Sequence, residues 1–90
     1  MFYYVYILQS LRNGSLYIGY TADLRKRILK HNNGESLATK PFIPYRLIFY
    51  EAFINQKDAK NREEYLKGGY GRKTIKKILR NFLEKGLVTT

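Results

Sequence analysis

The sequence predicts an α+β fold in which helices pack on a three-stranded antiparallel sheet. Two segments rich in β-branched and aromatic residues flank an Asn-Gly turn signal near the start of the chain. Further along, apolar residues recur at helical spacing between capping residues and glycines. With 90 residues, 44% of them hydrophobic, the chain can bury one small core, so we expect a single domain over residues 1–90.

The predicted sheet begins with a hairpin. Residues 3–9 are apolar or aromatic at nearly every position, which is typical of a strand buried on both faces. Asn13-Gly14 indicates a turn, and a second strand is predicted from Leu16 to Tyr20. A loop over residues 34–44 contains both prolines, and the third strand is predicted from Tyr45 to Phe53.

Three predicted helices complete the order β-β-α-β-α-α. The first begins after a Thr21 N-cap and ends near His31, with Leu24 and Ile28 as its apolar stripe. Asn55 is predicted to cap the second helix, which covers about residues 56–67 and ends in the glycines Gly68, Gly69 and Gly71. The third covers about residues 73–85, shows apolar residues at i, i+3, i+4, i+7 and i+8, and ends at Gly86.

Composition narrows the possible functions. The 17 Lys and Arg outnumber the seven Asp and Glu, which gives a net charge of +10 and a pI of about 9.9, so a polyanion is the expected partner. Because the chain has no cysteine and a single histidine, thiol chemistry, thiolate zinc sites and multi-histidine metal sites are excluded. We find no apolar run of membrane-spanning length and no signal peptide, and therefore expect a cytoplasmic protein.

The first and third predicted helices each carry several basic residues. They form either solvated helix faces or surfaces that contact nucleic-acid phosphates, and we take six of them as candidate nucleic-acid-binding residues: Arg25, Lys26, Lys30, Lys73, Lys76 and Lys77.

Arg27 and His31 form a different candidate site. They are four residues apart, so they share one helix face, and that face borders the apolar stripe of Leu24 and Ile28. We therefore expect both side chains to point along the edge of the sheet. Their position alone supports two interpretations equally: Arg27 and His31 belong to a functional site, or they belong to a solvated basic helix face.

Glu63 is the carboxylate with the most unusual predicted position. It lies on the helix face of Ala59 and Leu66, which should draw it toward the core, where acids are rare unless they are paired or bind metal. One interpretation is an ion pair with an arginine. The other is a lone ligand to Mg²⁺, which takes few carboxylates and completes its shell with water and phosphate. Glu51 is the second candidate ligand.

The order of several short motifs resembles the GIY-YIG nuclease family. Tyr4-Val5-Tyr6 and Tyr17-Ile18-Gly19, separated by ten residues, are similar to the paired signature of that family. The segments 23–31, 44–51 and 59–67 are similar to its first helix, third strand and glutamate-bearing helix. The resemblance covers about residues 3–73 and is closest to small, stand-alone bacterial members of the family.

This resemblance implies a metal-dependent endonuclease that hydrolyses nucleic-acid phosphodiester bonds. DNA is implied in preference to RNA, with one Mg²⁺ or Mn²⁺ ion as cofactor and DNA repair as a setting. The alternative is a nucleic-acid-binding module of the same fold that does not cleave.

The family's functional residues fall on five positions of this chain. Tyr6 would be the base or positioner for the attacking water, and Tyr17 would hydrogen-bond near the scissile phosphate. Arg27 would stabilise charge on the phosphate, and His31 would relay a proton or hold the phosphate. Glu63 would hold the metal, while Gly19 keeps the backbone close-packed beside them.

The chain also departs from the family pattern. Tyr4 stands where the first motif begins with Gly, and Tyr20 stands where the repair-nuclease branch has Lys. A two-residue turn at Asn13-Gly14 would separate Tyr6 from Tyr17 by roughly 13 Å along the sheet. Because both tyrosines should reach one phosphate, we expect a longer loop, over about residues 11–14.

Overall fold

The structure, a computed structural model, describes residues 1–88, and the side chains as far as Glu84. It confirms the α+β class and the three-stranded antiparallel sheet. The elements in chain order are β1 (Tyr3–Ser10), β2 (Leu16–Thr21), α1 (Leu24–Asn32), a 3₁₀ turn (Lys40–Phe42), β3 (Tyr45–Phe53), α2 (Gln56–Lys67), α3 (Gly71–Ile78) and α4 (Arg80–Val88).

The sheet has the strand order β2-β1-β3, so β1 is the central strand. Val5 to Leu8 are fully buried, as the uninterrupted apolar pattern of this strand predicts. On one side Tyr6 pairs with Gly19, and on the other side it pairs with Tyr50. A register shift between Ile7 and Leu8 marks a bulge in the pairing with β3.

Helices cover both faces of the sheet, and each face has its own hydrophobic cluster. Because successive side chains of a strand point to opposite faces, the odd and even residues of β1 separate. Val5 and Ile7 pack with residues of α2 and α3, whereas Tyr6 and Leu8 pack with Tyr45 and the predicted apolar stripe of α1. Helix α1 therefore lies on one face, the α1 face, and helices α2 and α3 lie on the other.

The connection between β1 and β2 is longer than a two-residue turn, as expected. The Ser10 N–H donates to the carbonyl of Ser15 at 2.8 Å, and the intervening loop turns at Gly14, whose φ is +78°. Tyr17 consequently pairs with Leu8 rather than with Ser10. This register places Tyr17 on the α1 face, diagonal to Tyr6.

The start of α1 corrects one prediction. Thr21 is not the N-cap, because it is the last residue of β2. Asp23 caps the helix instead, and its carboxylate accepts a hydrogen bond from the Lys26 N–H at 3.1 Å. The Thr21 hydroxyl accepts from the Asp23 N–H at 3.1 Å, so it shapes the turn that leads into the helix. The predicted Asn55 cap of α2 is confirmed.

The prediction of one continuous third helix is wrong. The chain forms α3 and α4, with Leu79 in a turn between them, and α4 continues through Gly86 to Val88. Leu79 packs against the core cluster on the α2 and α3 side, so tertiary packing sets a break that no glycine or proline marks in the sequence. Gly71 begins α3 rather than ending α2, and a Cβ there would overlap the backbone of Leu66. None of the helices within residues 1–88 is long and apolar enough to cross a membrane.

Candidate active site

A buried chain of hydrogen bonds links β1, α1 and the loop that follows α1. The Tyr6 hydroxyl lies 2.8 Å from His31 Nε2, and His31 Nδ1 lies 2.8 Å from Thr39 Oγ1. All three residues are 0% exposed. His31 therefore lies deeper than the edge position expected from the helix pattern, and both of its ring nitrogens have partners.

Gly19 explains how the Tyr6 ring reaches this position. Tyr6 and Gly19 face each other across β1 and β2, and the ring of Tyr6 lies over the glycine. A Cβ at residue 19 would overlap the phenol ring and its hydroxyl. The glycine of the second motif is thus required by a side chain of the first motif.

Tyr17 completes an aromatic cluster with these residues. Its ring meets the His31 ring edge to face, with centroids 5.0 Å apart and an interplanar angle of 62°, and it lies 6.4 Å from the Tyr6 ring. Tyr17 is half-buried, whereas Tyr6 and His31 have no exposed surface. A ligand can therefore reach the cluster through Tyr17 first.

Arg27 is the cation of the site, and it is half-buried beside the Tyr6 hydroxyl. Burial raises the pKa of Tyr6, although Arg27 acts in the opposite direction. Burial also lowers the pKa of His31, and the Arg27 charge lowers it further. At neutral pH the phenol is therefore protonated and the imidazole is uncharged, so His31 can accept a proton.

Glu63 lies on α2, the helix that packs against the face of the sheet opposite α1. Its side chain is 21% exposed, and its charge is near enough to contribute to the raised pKa of Tyr6. One interpretation of the sequence expected an ion pair with an arginine, and among the described side chains Glu63 has no such partner. Glu63 Oε2 lies 2.8 Å from Lys67 Nζ one helical turn later, because i and i+4 residues are neighbours on a helix.

Glu51, the second candidate metal ligand, has a structural partner. Its two carboxylate oxygens accept hydrogen bonds from Arg62 at 2.8 and 3.2 Å, which joins β3 to α2. The carboxylate also raises the pKa of Arg62. This bidentate ion pair accounts for Glu51 and leaves Glu63 as the stronger candidate ligand.

Comparison with known proteins gives the family of this domain. A family profile described as the GIY-YIG catalytic domain matches residues 2–77. The chain belongs to the GIY-YIG family. A UPF0213 protein of Staphylococcus saprophyticus is 40% identical over 77 residues, which cover 84% of this chain and 93% of the relative. A UPF0213 protein of Clostridium perfringens is 45% identical over 65 residues, which cover 71% of this chain and 69% of that protein.

A solved structure is similar as well. The solution NMR structure of a UPF0213 protein from Bacillus halodurans aligns with a TM-score of 0.53 and 33% identity, over 87% of this chain and 85% of that one. The recognition of a small GIY-YIG domain from the sequence motifs is thus confirmed, and with it the nuclease-type family.

The residues of this GIY-YIG domain fit a metal ion only in a site with few protein ligands. Within the described part of the chain, no three His, Cys, Asp or Glu side chains come together in a way that could hold an ion. Glu63 would be a lone carboxylate ligand, as one interpretation of the sequence has it, with water and phosphate oxygens as the remaining ligands. Mg²⁺ is commonly bound in this manner, so the partly buried Glu63 carboxylate fits the ion that the family implies.

The six candidate phosphate-contacting residues lie on two sides of the GIY-YIG sheet. Lys26 and Lys30 line a cleft of ≈ 210 Å³ beside Arg27, together with Thr21 and Asp23. Arg25 is exposed on the same helix. The three lysines of α3 are exposed on the helix that packs against the opposite face: Lys73, Lys76 and Lys77.

Thr39 is the residue of this site that sequence analysis missed. It lies in the loop predicted over residues 34–44 and is brought to His31 by the fold. A single threonine in a polar loop carries no periodicity or motif signal. Its contact with His31 therefore becomes visible only in the folded structure.

Proposed function

We propose that this GIY-YIG protein is an endonuclease that hydrolyses phosphodiester bonds of DNA with one bound Mg²⁺ or Mn²⁺. The observation that carries the proposal is the buried Tyr6–His31–Thr39 chain, which ends beside Arg27 and Tyr17. It supplies a proton acceptor next to a cation, as phosphodiester hydrolysis requires.

The proton path follows from the state of His31. Because burial keeps the imidazole neutral, one ring nitrogen carries a proton and the other accepts one. With the proton on Nδ1 donated to Thr39 Oγ1, Nε2 accepts from the Tyr6 hydroxyl. Tyr6 then takes a proton from the attacking water as it passes its own proton to His31.

Arg27 and Tyr17 are the groups that meet the phosphate. Both are half-buried, whereas Tyr6 has no exposed surface. Arg27 lies beside the Tyr6 hydroxyl, so turning the guanidinium onto a phosphate oxygen uncovers that hydroxyl for water. Arg27 then stabilises the charge that develops on the phosphate, and the Tyr17 hydroxyl donates to a phosphate oxygen.

Glu63 would hold the divalent ion, in competition with Lys67. When bound, the ion supplies Lewis-acid stabilisation of the phosphate oxygens. Lys67 would then leave the carboxylate, and its half-exposed ammonium could reach solvent or a second phosphate.

The choice of substrate rests on charge and on family resemblance. The net charge of +10 favours a polyanion, and the resemblance favours DNA over RNA. A cytoplasmic setting and a role in DNA repair stay predictions. The second candidate function is a binding module that does not cleave, and the complete burial of Tyr6 is the observation that favours it.

A cleavage assay with labelled DNA tests the proposal. Products should form with Mg²⁺ or Mn²⁺ and not in EDTA, and Arg27→Ala should slow single-turnover cleavage by roughly 10²–10³-fold. Arg25→Ala removes the same charge from an exposed position two residues earlier and should change the rate little. Equal reductions of the cleavage rate in the two variants would indicate a general phosphate-binding surface. DNA binding without cleavage in any metal would favour the second candidate.

A further inference from the structure

One end of the α1 face carries exposed aromatic rings. Phe2, Tyr4 and Tyr50 form a row, here called the aromatic row, with ring centroids 6.4 Å apart between Phe2 and Tyr4 and 6.0 Å apart between Tyr4 and Tyr50. Phe2 is 45% exposed and Tyr50 is 52% exposed, while Tyr4 is half-buried. The rings of this row therefore present apolar surface to solvent.

The aromatic row lies directly beside the candidate active site. Tyr50 is the cross-strand partner of Tyr6, and Tyr4 is two residues before Tyr6 on the same face of β1. Tyr4 also occupies the position where the first GIY-YIG motif begins with glycine, so a ring stands where that motif has no side chain. The row thus lies on the same face of the sheet as Tyr6 and the half-buried Tyr17.

Cations border the aromatic row on the side of β2. Thr21 pairs with Tyr4 across the strands, and Thr21 also lines the cleft that contains Lys26 and Arg27. A basic cleft next to exposed aromatic rings is the combination typical of proteins that bind single-stranded nucleic acids, since phosphates meet the cations and unpaired bases stack on the rings. In a duplex the base faces are stacked on one another, so only an unpaired segment can use both features.

We infer that the aromatic row is a stacking platform for unpaired bases of a DNA strand whose backbone enters the cleft at Arg27. The substrate class is DNA with a single-stranded arm or flap, bound so that the phosphate beside the unpaired bases lies at the active site. The inference rests on the proposed function, because that function sets which way the DNA strand is oriented. The aromatic row itself takes no part in the cleavage chemistry.

Binding measured by fluorescence anisotropy in EDTA tests the inference without catalysis. Three probes share one short duplex: a blunt form, a form with a six-nucleotide unpaired DNA arm, and a form whose arm consists of abasic sites. The abasic arm keeps the phosphates and removes the bases. We expect the arm with bases to bind roughly 5- to 150-fold more tightly than the abasic arm, since this is the range for stacking one base on an aromatic side chain.

The variants locate that preference on the protein. Tyr50→Ala and Phe2→Ala should each reduce the ratio between the two arms at least fivefold and leave the affinity for blunt duplex within twofold. Tyr70→Ala is the matched control, because Tyr70 is 72% exposed and lies between α2 and α3, outside the aromatic row. Tyr50→Phe keeps the ring and should keep the preference. A thermal melt of each variant shows whether it is folded.

Other outcomes overturn the inference. Equal binding of the base-containing and abasic arms by the wild-type protein would remove the platform, as would a preference that survives both Tyr50→Ala and Phe2→Ala in folded protein. An RNA arm bound tenfold more tightly than the DNA arm would make RNA the occupant and refute the assignment to DNA. Cleavage without arm preference would end this inference alone, whereas arm preference without cleavage in any metal would end the proposed function alone.

Discussion

His31 is a buried histidine whose environment favours the neutral form, because burial and the Arg27 charge both lower its pKa. Its ordinary pKa is about 6.5, so the unfolded chain binds a proton below that pH more readily than the folded protein does. Neutral His31 therefore contributes fully to the stability of the fold above about pH 6.5. This contribution is lost as the pH falls through the lower pKa that His31 has in the folded state. We expect the melting temperature to decline from pH 7 toward pH 5, as measured by circular dichroism.

The control for this pH dependence is His31→Gln. Glutamine can hydrogen-bond but does not titrate, so the variant should be less stable at pH 7 and nearly flat between pH 7 and pH 5. Single-turnover cleavage by the wild-type protein should fall over the same acid range, because a protonated imidazole cannot accept the proton of Tyr6. A melting temperature that is independent of pH in the wild-type protein would contradict the assigned state of His31.

Tyr6 is coupled to His31, which changes what its removal should do. The phenylalanine ring would still fit over Gly19, but Tyr6→Phe leaves the buried Nε2 of His31 without a partner. We expect a loss of about 1–3 kcal/mol in the free energy of unfolding, measured by urea denaturation. Cleavage should slow on the order of 10²-fold or more at a temperature where the variant is folded. A fully active variant would transfer the role of base to His31.

At the scale of elements, helix α2 carries both the proposed metal ligand, Glu63, and the cation that pairs with it, Lys67. Glu63→Gln should abolish metal-dependent cleavage and keep DNA binding, because the proposed ligand charge is removed while Lys67 remains half-exposed and can be hydrated. The free energy of unfolding should change by less than about 1 kcal/mol, as for other partly exposed ion pairs. Glu64→Gln, at the exposed neighbouring position, is the control and should cleave normally.

Lys67 offers a further test of the same helix. If the ion and Lys67 compete for Glu63, then Lys67→Gln should lower the Mg²⁺ concentration that gives the half-maximal cleavage rate. The measurement is a metal titration at fixed DNA concentration. An unchanged or higher metal requirement would speak against Glu63 as the ligand and would direct the search to Glu51.

The elements that the sequence predicted well are those with a strong periodic or capping signal. The buried pattern of β1, the Asn55 cap and the apolar stripe of α1 all lie as predicted. The break at Leu79 has no local signal, because it arises from packing against the sheet. The Asp23 cap was missed because Thr21, two residues earlier, is also a residue type that commonly caps helices.

The candidate site shows the same division. Helical spacing predicted that Arg27 and His31 share a face, and motif resemblance added Tyr6 and Tyr17. Neither could show that the ring of His31 lies between Tyr6 and Thr39, since that contact joins segments that are distant in the chain. Neither could show that Lys67 neutralises Glu63, because an i, i+4 pair competes with many other partners until the fold is known.

On the scale of the whole molecule, the sheet separates two basic surfaces. One lies on α1 beside the site, and the other lies on α3, which packs against the opposite face. Both contribute to the long-range attraction of a polyanion. Only the surface on α1 adjoins the cleft that contains Arg27, so the two should contribute differently to bound contacts.

Two charge reversals separate these contributions. Lys26→Glu and Lys77→Glu each lower the net charge by two, and both residues are exposed. Lys26 lines the cleft beside Arg27, whereas Lys77 lies on α3, so an effect of total charge alone would be equal in both variants. Lys26→Glu should also fold well, because a glutamate three residues after the Asp23 cap suits the start of α1.

Salt titration of DNA binding gives the readout. With roughly five to eight phosphates contacted, wild-type affinity for duplex DNA should fall by roughly 10³–10⁴-fold between 50 and 200 mM salt, through counterion release. Lys26→Glu should reduce the slope of log affinity against log salt by about one, since one phosphate contact is lost. Lys77→Glu should lower affinity at low salt and leave the slope unchanged. If the two slopes change equally, DNA contacts both faces of the sheet, and the α1 surface is not the preferred binding side.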